Sequence, residues 1–285
     1  METEIKKLRS VSKFRYPSFA NSKAISELVT SVTMNHISEA PSKLDSLSKR
    51  ALVDKLNNST KMWSKQFASN HISQEIFLGN TSRNVVIGWL LETYHFIKSF
   101  PSALEVASNH AHGELKTLLI EYTRQEEGHE WFLLQCLLKA GLSKQDVEFS
   151  APLISTRSID FLFKELFAIE PASVLLVAHI VEEKNFDQEY MTIISKTLHD
   201  RHGFAMDMLK PFFDHISIDD MLGHHDLLKN NLKLLDDINP YNLHDILCKL
   251  HDIKLAFELQ KLEIRDYYDK SINYIPRQHV DFFSI

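Results

Sequence analysis

Apolar positions recur at three- and four-residue intervals along most of this chain, and no stretch alternates as a half-buried strand would. Helices are therefore expected from Asn21 or Ser22 through "NSKAISELVTSVTMNHI". Another is expected over "PSKLDSLSKRALVDKLNNST", where Pro41 sits at an N-terminal position. Residues 73–98 read as one long apolar-periodic segment. Pro101 reads as the start of the next, which runs on through "EEGHEWFLLQCLLKAG". That stretch is too long for one straight helix, so a break is expected near His110 to Gly113, with Gly141 as the final stop. Further helices are predicted over "STRSIDFLFKELFAIE", from Pro171 through "MTIISKTL", and over "GFAMDMLKPFFDHI". The next is read as starting at an N-cap, Ser217, with Asp219 and Asp220 in its first turn. "YNLHDILCKLHDIKLAFELQKLEIRDYYDK" closes the series. The fold class is all-α, a bundle of about seven to ten helices. It divides into an N-terminal irregular segment with helices over 1–72, a helical core over 73–275 and a tail over 276–285.

Composition adds limits. Only 7 glycines and 8 prolines punctuate the 285 residues, which favours long helices. Apolar residues at 44% and charged residues at 25% are those of a globular protein with ample core for one large domain or two small ones. A net charge of −6 argues against nucleic acid as a partner, because phosphate binding needs a basic surface. "PASVLLVAHIV" is too short to span a bilayer, and "METEIKKLRS" lacks the apolar centre of a signal peptide. Cys136 and Cys248, far apart and in helical contexts, point to reduced thiols and a cytoplasmic protein. The 15 histidines prompt a search for a metal site.

Four groups stand out. They are Glu92 with His95; Glu126 with His129; His179 with Glu182 and Glu183; and His215, Asp219, Asp220, His224 and His225. Glu126 and His129 are three apart, about 60° on a helix, the spacing by which one helix offers two ligands to one metal. Mixed carboxylate and imidazole donors suit iron or manganese, and the shortage of thiolates disfavours structural zinc. Plain readings compete. Glu126 and His129 fit a solvated face, His95 a satisfied core histidine, and Glu182 with Glu183 a helix emerging into water. His199 and His202 look like a helix end complementing its dipole. A ferritin-like bundle fits poorly, because both Glu-x-x-His motifs lie early and the second half has none.

"EEGHEWFLLQCLLKAGLS" resembles the haem-oxygenase-like fold, which also holds thiaminase II and the pyrroloquinoline-quinone synthase. "PFFDHISIDDMLGHHDLL" resembles the late helix of its metal-binding branch, the haem-oxygenase-like di-iron oxidases, whose motif is His, three residues, Asp, two residues, His. The resemblance covers about residues 75–240. It assigns His129 as the early histidine, Glu183 as the middle carboxylate, and His215 with Asp219 as the start of the late set. Two positions depart. Tyr122 stands where the early Glu belongs, with Glu126 the nearest substitute. Leu222 stands where the last His belongs, with His224 the nearest substitute, alone or with Asp220 in place of Asp219. Glu182 and His225 stay open as alternatives, and Glu92 as an additional carboxylate. Tyr122 shares a face with Glu126 and His129, and Tyr190 shares one with Glu183, so both rings are expected beside the metal as hydrogen-bonding or redox-active groups.

The resemblance implies two iron ions, one held weakly, and O2 as cosubstrate. It implies N-oxygenation, desaturation or oxidative C–C cleavage of a small substrate of the amino-acid or fatty-acid class. An external reductant and a homodimer are compatible; nucleic acid and membrane are not expected. Two alternatives remain. One is a metal-free thiaminase II-like hydrolase or cofactorless oxidase on the same fold, the former needing an activated cysteine. The other is a non-enzymatic helical interaction protein. A haem oxygenase is disfavoured because no GxxxG occurs.

Overall fold

The computed structural model describes residues 71–181, 188–238 and 242–269, with isolated positions at 50, 51, 54 and 58. The helix expected from Asn21 or Ser22, all but those isolated positions of the one expected over 41–60, most of the segment 1–72 and the tail 276–285 lie outside the described residues. Every regular element among the described residues is helical. In chain order these are α1 (His71–Phe77), α2 (Arg83–His110), α3 (Gly113–Glu126), α4 (Glu130–Lys139), α5 (Lys144–Glu148) and α6 (Ile154–Ile169). There follow α7 (Ser173–Val181), α8 (Gln188–His202), α9 (Lys210–Leu222), a 3-10 turn over His224–Asp226, α10 (Leu227–Asn230), a 3-10 stretch over Leu232–Asp237, and α11 (Leu243–Tyr268).

The centre is α2. Val85, Val86, Ile87, Gly88, Leu90 and Leu91 are all buried, so its first half is enclosed on every side rather than along one stripe. The helices packed on it are α3, α4, α6 and α11. A ring cluster seals α2 to α6 and α11: Phe163 stacks on Phe167 at 5.6 Å and meets Phe96, Phe100 and Phe257 edge-on or tilted. Such rings bury large area and prefer these offset arrangements. On the other side α4 packs against α9. No described helix is long and apolar enough to cross a membrane.

Three predicted boundaries are corrected. Residues 73–98 do not form one segment: the chain turns at Gly79 (φ +65°), and Ser82 restarts it as N-cap of α2, accepting from Val85 N–H. Pro101 opens no helix; it lies inside α2. Its fixed φ is compatible with a helix, and burial of Phe100, Ala103 and Leu104 around it outweighs the lost backbone hydrogen bond. Ser217 caps nothing. It sits within α9, and its hydroxyl donates to the Phe213 carbonyl at 3.0 Å. The break expected near His110 to Gly113 is present, as is the stop at Gly141 (φ +101°), where the Leu142 N–H reaches the Leu137 carbonyl.

Candidate metal centre

The stretch "EEGHE" does not lie on one helix as the spacing suggested. The first helix there, α3, ends at Glu126, the chain turns at Gly128 (φ +88°), and α4 begins at Glu130. Nothing lies within 4 Å of a Cβ built on Gly128, so its backbone conformation rather than space calls for glycine. The turn still brings His129 Nδ1 to 3.3 Å from Glu126 Oε2.

The opposite wall comes from α9. Because α9 continues past Ser217, His215 and Asp219 are one turn apart on one face, with His215 Nε2 3.4 Å from Asp219 Oδ2. Gly223 then adopts a left-handed conformation (φ +75°), its N–H closing onto the Asp219 and Asp220 carbonyls. The 3-10 turn after it swings His224 inward. His224 is 1% exposed while Leu222 is 44% exposed, so the displaced histidine enters the site and the leucine in its expected place faces water.

Five buried side chains converge: Glu126, His129, His215, Asp219 and His224. His129 Nδ1 lies 3.1 Å from His215 Nε2 and 3.5 Å from Asp219 Oδ1. His224 Nδ1 lies 3.0 Å from Glu126 Oε1 and 3.6 Å from Asp219 Oδ1. They form two groups of three donors sharing Asp219, namely His129, His215 and Asp219, and Glu126, Asp219 and His224. Within each group the donor atoms lie within 4.8 Å of one another. Glu126 Oε1, Asp219 Oδ1 and His224 Nδ1 make no hydrogen bond with any described residue, although two of them are only 3.0 Å apart. Buried polar atoms left without partners are costly. Three such atoms within ligand distance of one another are what a cation needs.

The charges respond to this crowding. Burial pulls the Glu126 carboxyl upward, but the imidazoles of His129 and His224 outweigh it and hold it at about 2. Burial, together with the Glu126 charge, pushes Asp219 up to about 7. Burial and the neighbouring His129 push His215 down to about 4. Burial lowers His129, yet Glu126 and Asp219 raise it above its ordinary value. Of the two carboxylates, Asp219 alone is thus pushed towards holding a proton, which a bound metal would displace.

The other expected residues fall as follows. Glu182 and Glu183 lie outside the described residues. Asp220 and His225 lie 3.7 Å apart and belong to neither group of three. Glu92 belongs to neither group. Both its oxygens are committed elsewhere: Oε2 accepts from Leu153 N–H and the Thr156 hydroxyl, and Oε1 from the Tyr268 hydroxyl at 2.8 Å. Its role as an additional ligand is therefore corrected to a buried cross-link of α2, α6 and α11. Tyr122 is buried with its ring edge-on to His224 at 4.9 Å. Tyr190 instead packs edge-on against Phe77 of α1 at 6.2 Å, a core position. His95 is a satisfied core histidine, 2.7 Å from the Ser150 hydroxyl. Gln125, which no motif marks, places Oε1 3.0 Å from His224 Nε2.

No protein-family model matches the sequence, and no curated protein matches it. Solved structures do. A domain of unknown function with a haem oxygenase-like fold from Shewanella denitrificans aligns with a TM-score of 0.63 and 17% identity, over 76% of this chain and 93% of that one. A TenA homologue from P. horikoshii aligns with a TM-score of 0.54 and 16% identity, over 75% of this chain and 98% of that one. A TenA homologue from Pseudomonas syringae pv. tomato aligns with a TM-score of 0.54 and 11% identity, over 79% of this chain and all of that one. The all-helical architecture and these alignments together give the chain the haem-oxygenase-like fold, the fold of the TenA homologues.

Proposed function

We propose that this protein is a non-haem di-iron oxidase or oxygenase that uses O2 on a small substrate. The observation that carries the reading is the pair of three-donor groups hinged on Asp219, with buried acceptor atoms left without partners between them. Two carboxylates and three imidazoles suit iron, with manganese the next candidate. His129, His215 and Asp219 would hold the tighter ion, since all three match the pattern of the di-iron oxidases. Glu126, Asp219 and His224 would hold the weaker ion, since Glu126 and His224 are the substitutes. Glu183 stays in the proposal as a further ligand on the resemblance alone. When bound, ferrous iron supplies the one-electron and O2 chemistry that no side chain provides.

The chain's own groups do the rest. Glu126 and Asp219 offset the metal charge in a buried setting, where that attraction is strong. His129 and His215 cross at nearly a right angle, their centroids 4.7 Å apart, which fixes both rings. The rings of Tyr122 and Phe100, edge-on to each other at 6.1 Å, close the side next to His224 and exclude water there. The substrate class proposed is an amino acid or a fatty acid.

The hydrolase alternative fares worse on one observation. Cys136, the cysteine nearest the site in sequence, is fully buried and its thiol is pushed up by burial to about 12. A nucleophile needs the thiolate and access to substrate, and Cys136 has neither. Anaerobic Fe(II) loading, desalting and metal analysis test the proposal, followed by O2 uptake with amino-acid and fatty-acid panels. Retained stoichiometric iron with substrate-dependent O2 uptake is expected; protein that retains no iron refutes the reading.

A further inference from the structure

A histidine can ligate through either ring nitrogen, and the hydrogen bond made by the other one decides which. His224 turns Nδ1 toward Glu126 and Asp219 and Nε2 toward Gln125. The Gln125 amide is itself oriented, because its Nε2 donates to Glu121 Oε1 at 3.3 Å. A carboxylate only accepts, so the amide nitrogen must face Glu121 and the amide oxygen must face His224. That oxygen also only accepts. The proton of a neutral His224 ring therefore sits on Nε2, and Nδ1 is left with a free lone pair. The opposite tautomer would set two acceptors, Gln125 Oε1 and His224 Nε2, face to face at 3.0 Å. Glu126 Oε1 lies 3.0 Å from Nδ1, so for both atoms to serve one cation the Nδ1 must be free of its proton. The edge contact with Tyr122 holds the ring in this plane.

We infer that Gln125 is the positioning residue that makes His224 an Nδ1 ligand, with Glu121 orienting Gln125 in turn; this rests on the metal reading above. The relay answers how the chain tolerates Leu222. The displaced histidine comes from a 3-10 turn rather than from the helix, presents its nearer nitrogen, and needs a partner for the farther one that α3 supplies next to Glu126. Gln125 is half-buried and Glu121 exposed, so the relay reaches from the site to the surface along one face of α3.

Three variants and two measurements test this. Gln125→Leu removes the acceptor. The double exchange Glu121→Gln with Gln125→Glu rebuilds the relay with its donor and acceptor reversed, a carboxylate now accepting from His224. Calorimetric titration with Fe(II) under anaerobic conditions should give two binding steps in the wild type. Gln125→Leu should weaken the second step by about 10–100-fold and spare the first, and the double exchange should restore it. Histidine-ring nitrogen NMR of the ion-free protein, with the His224 signal identified by its loss in His224→Gln, should show the Nε2–H tautomer in the wild type and a mixture in Gln125→Leu. Wild-type protein that takes up no Fe(II) overturns the metal reading and the ligand role with it. Wild type that binds two ions while Gln125→Leu binds both equally well, or a wild-type ring carrying its proton on Nδ1, overturns the role of Gln125 alone.

Discussion

The ring of Tyr268 lies where a side chain on Gly88 would have to stand: a Cβ there would come within 2.1 Å of Tyr268 Cδ2. Gly88 lies in mid-helix with no left-handed backbone, so it is there for the close approach of α11 to α2. That approach carries the Tyr268 hydroxyl to Glu92, one turn further along α2, where Thr156 and the Leu153 N–H also meet the carboxylate. Helix propensity alone makes Gly88→Ala stabilising by about 1 kcal/mol. The collision reverses the sign, because overpacking a filled core costs about 1–3 kcal/mol or more. Urea unfolding of Gly88→Ala should show a lower midpoint; a higher one means that Tyr268 does not lie against the helix.

The same lock makes stability depend on pH. Burial raises the Glu92 carboxyl above its ordinary value, against the lowering by Thr156, Leu153 and Tyr268. The folded state thus holds this proton more tightly than the unfolded chain. Its contribution is fully present below the ordinary carboxylate range and is lost as pH rises through the raised folded value. Glu92→Gln cannot titrate and keeps an oxygen for Leu153 and Thr156. Thermal midpoints from about pH 5 to about pH 8 should therefore move in favour of Glu92→Gln as pH rises. Parallel curves for the two proteins would remove Glu92 from the account.

Much of this was legible in the chain. The 3.6-residue periodicity gives the helices, and His129, His215, Asp219, Glu126 and His224 lie together in the fold, while Glu183 lies outside the described residues. The departures share a cause: a local signal does not carry its tertiary setting. Pro101 and Ser217 look like starts, but buried neighbours carry α2 through the first, and the second turns its hydroxyl back on its own helix. Gly128 sits within an apolar-periodic run that reads as helix, although its φ of +88° breaks one, and the pair survives only because the turn re-aims His129. Glu92 carries the same sequence signal as a ligand, a carboxylate in an apolar helix, and nothing local shows that Tyr268, far along the chain, takes it. Gln125 carries no signal at all, since its partner His224 is distant in sequence.

Sharing Asp219 between two groups predicts unequal losses. Asp219→Ala should abolish retention of both ions. His215→Ala should remove the ion held with His129, and His224→Ala only the one held with Glu126, leaving about one iron per chain in each case. Loading should also raise the thermal midpoint, since an ion at 100 times its dissociation constant stabilises the folded state by about 2.7 kcal/mol. Metal analysis of the three variants decides; equal iron in His224→Ala and wild type would take His224 out of the site.

The two cysteines should differ in reactivity. Cys136 is buried with its thiol raised to about 12, and Cys248 is exposed. Iodoacetamide at mildly alkaline pH should label Cys248 and spare Cys136 until denaturant is added, as peptide mass spectrometry can read. Rapid labelling of Cys136 in the folded protein would reopen the hydrolase reading.

Tyr122 is the last and most direct test of chemistry next to the site. It occupies the position where a carboxylate was expected, it is 1% exposed, and its ring meets both His224 and Phe100. Tyr122→Phe keeps those ring contacts and the packed volume, so folding and iron content should hold, with a stability change of about 1 kcal/mol from the lost hydroxyl. What phenylalanine lacks is the phenolic proton and the readily oxidised ring. If Tyr122 exchanges an electron or a proton during O2 reduction, the variant will load iron normally but consume O2 at a changed rate. Mass spectrometry after turnover will then find an oxidised residue 122 in the wild type and none in the variant. A variant with unchanged O2 uptake and a wild type with an intact ring after many turnovers would leave Tyr122 as packing for His224 and nothing more.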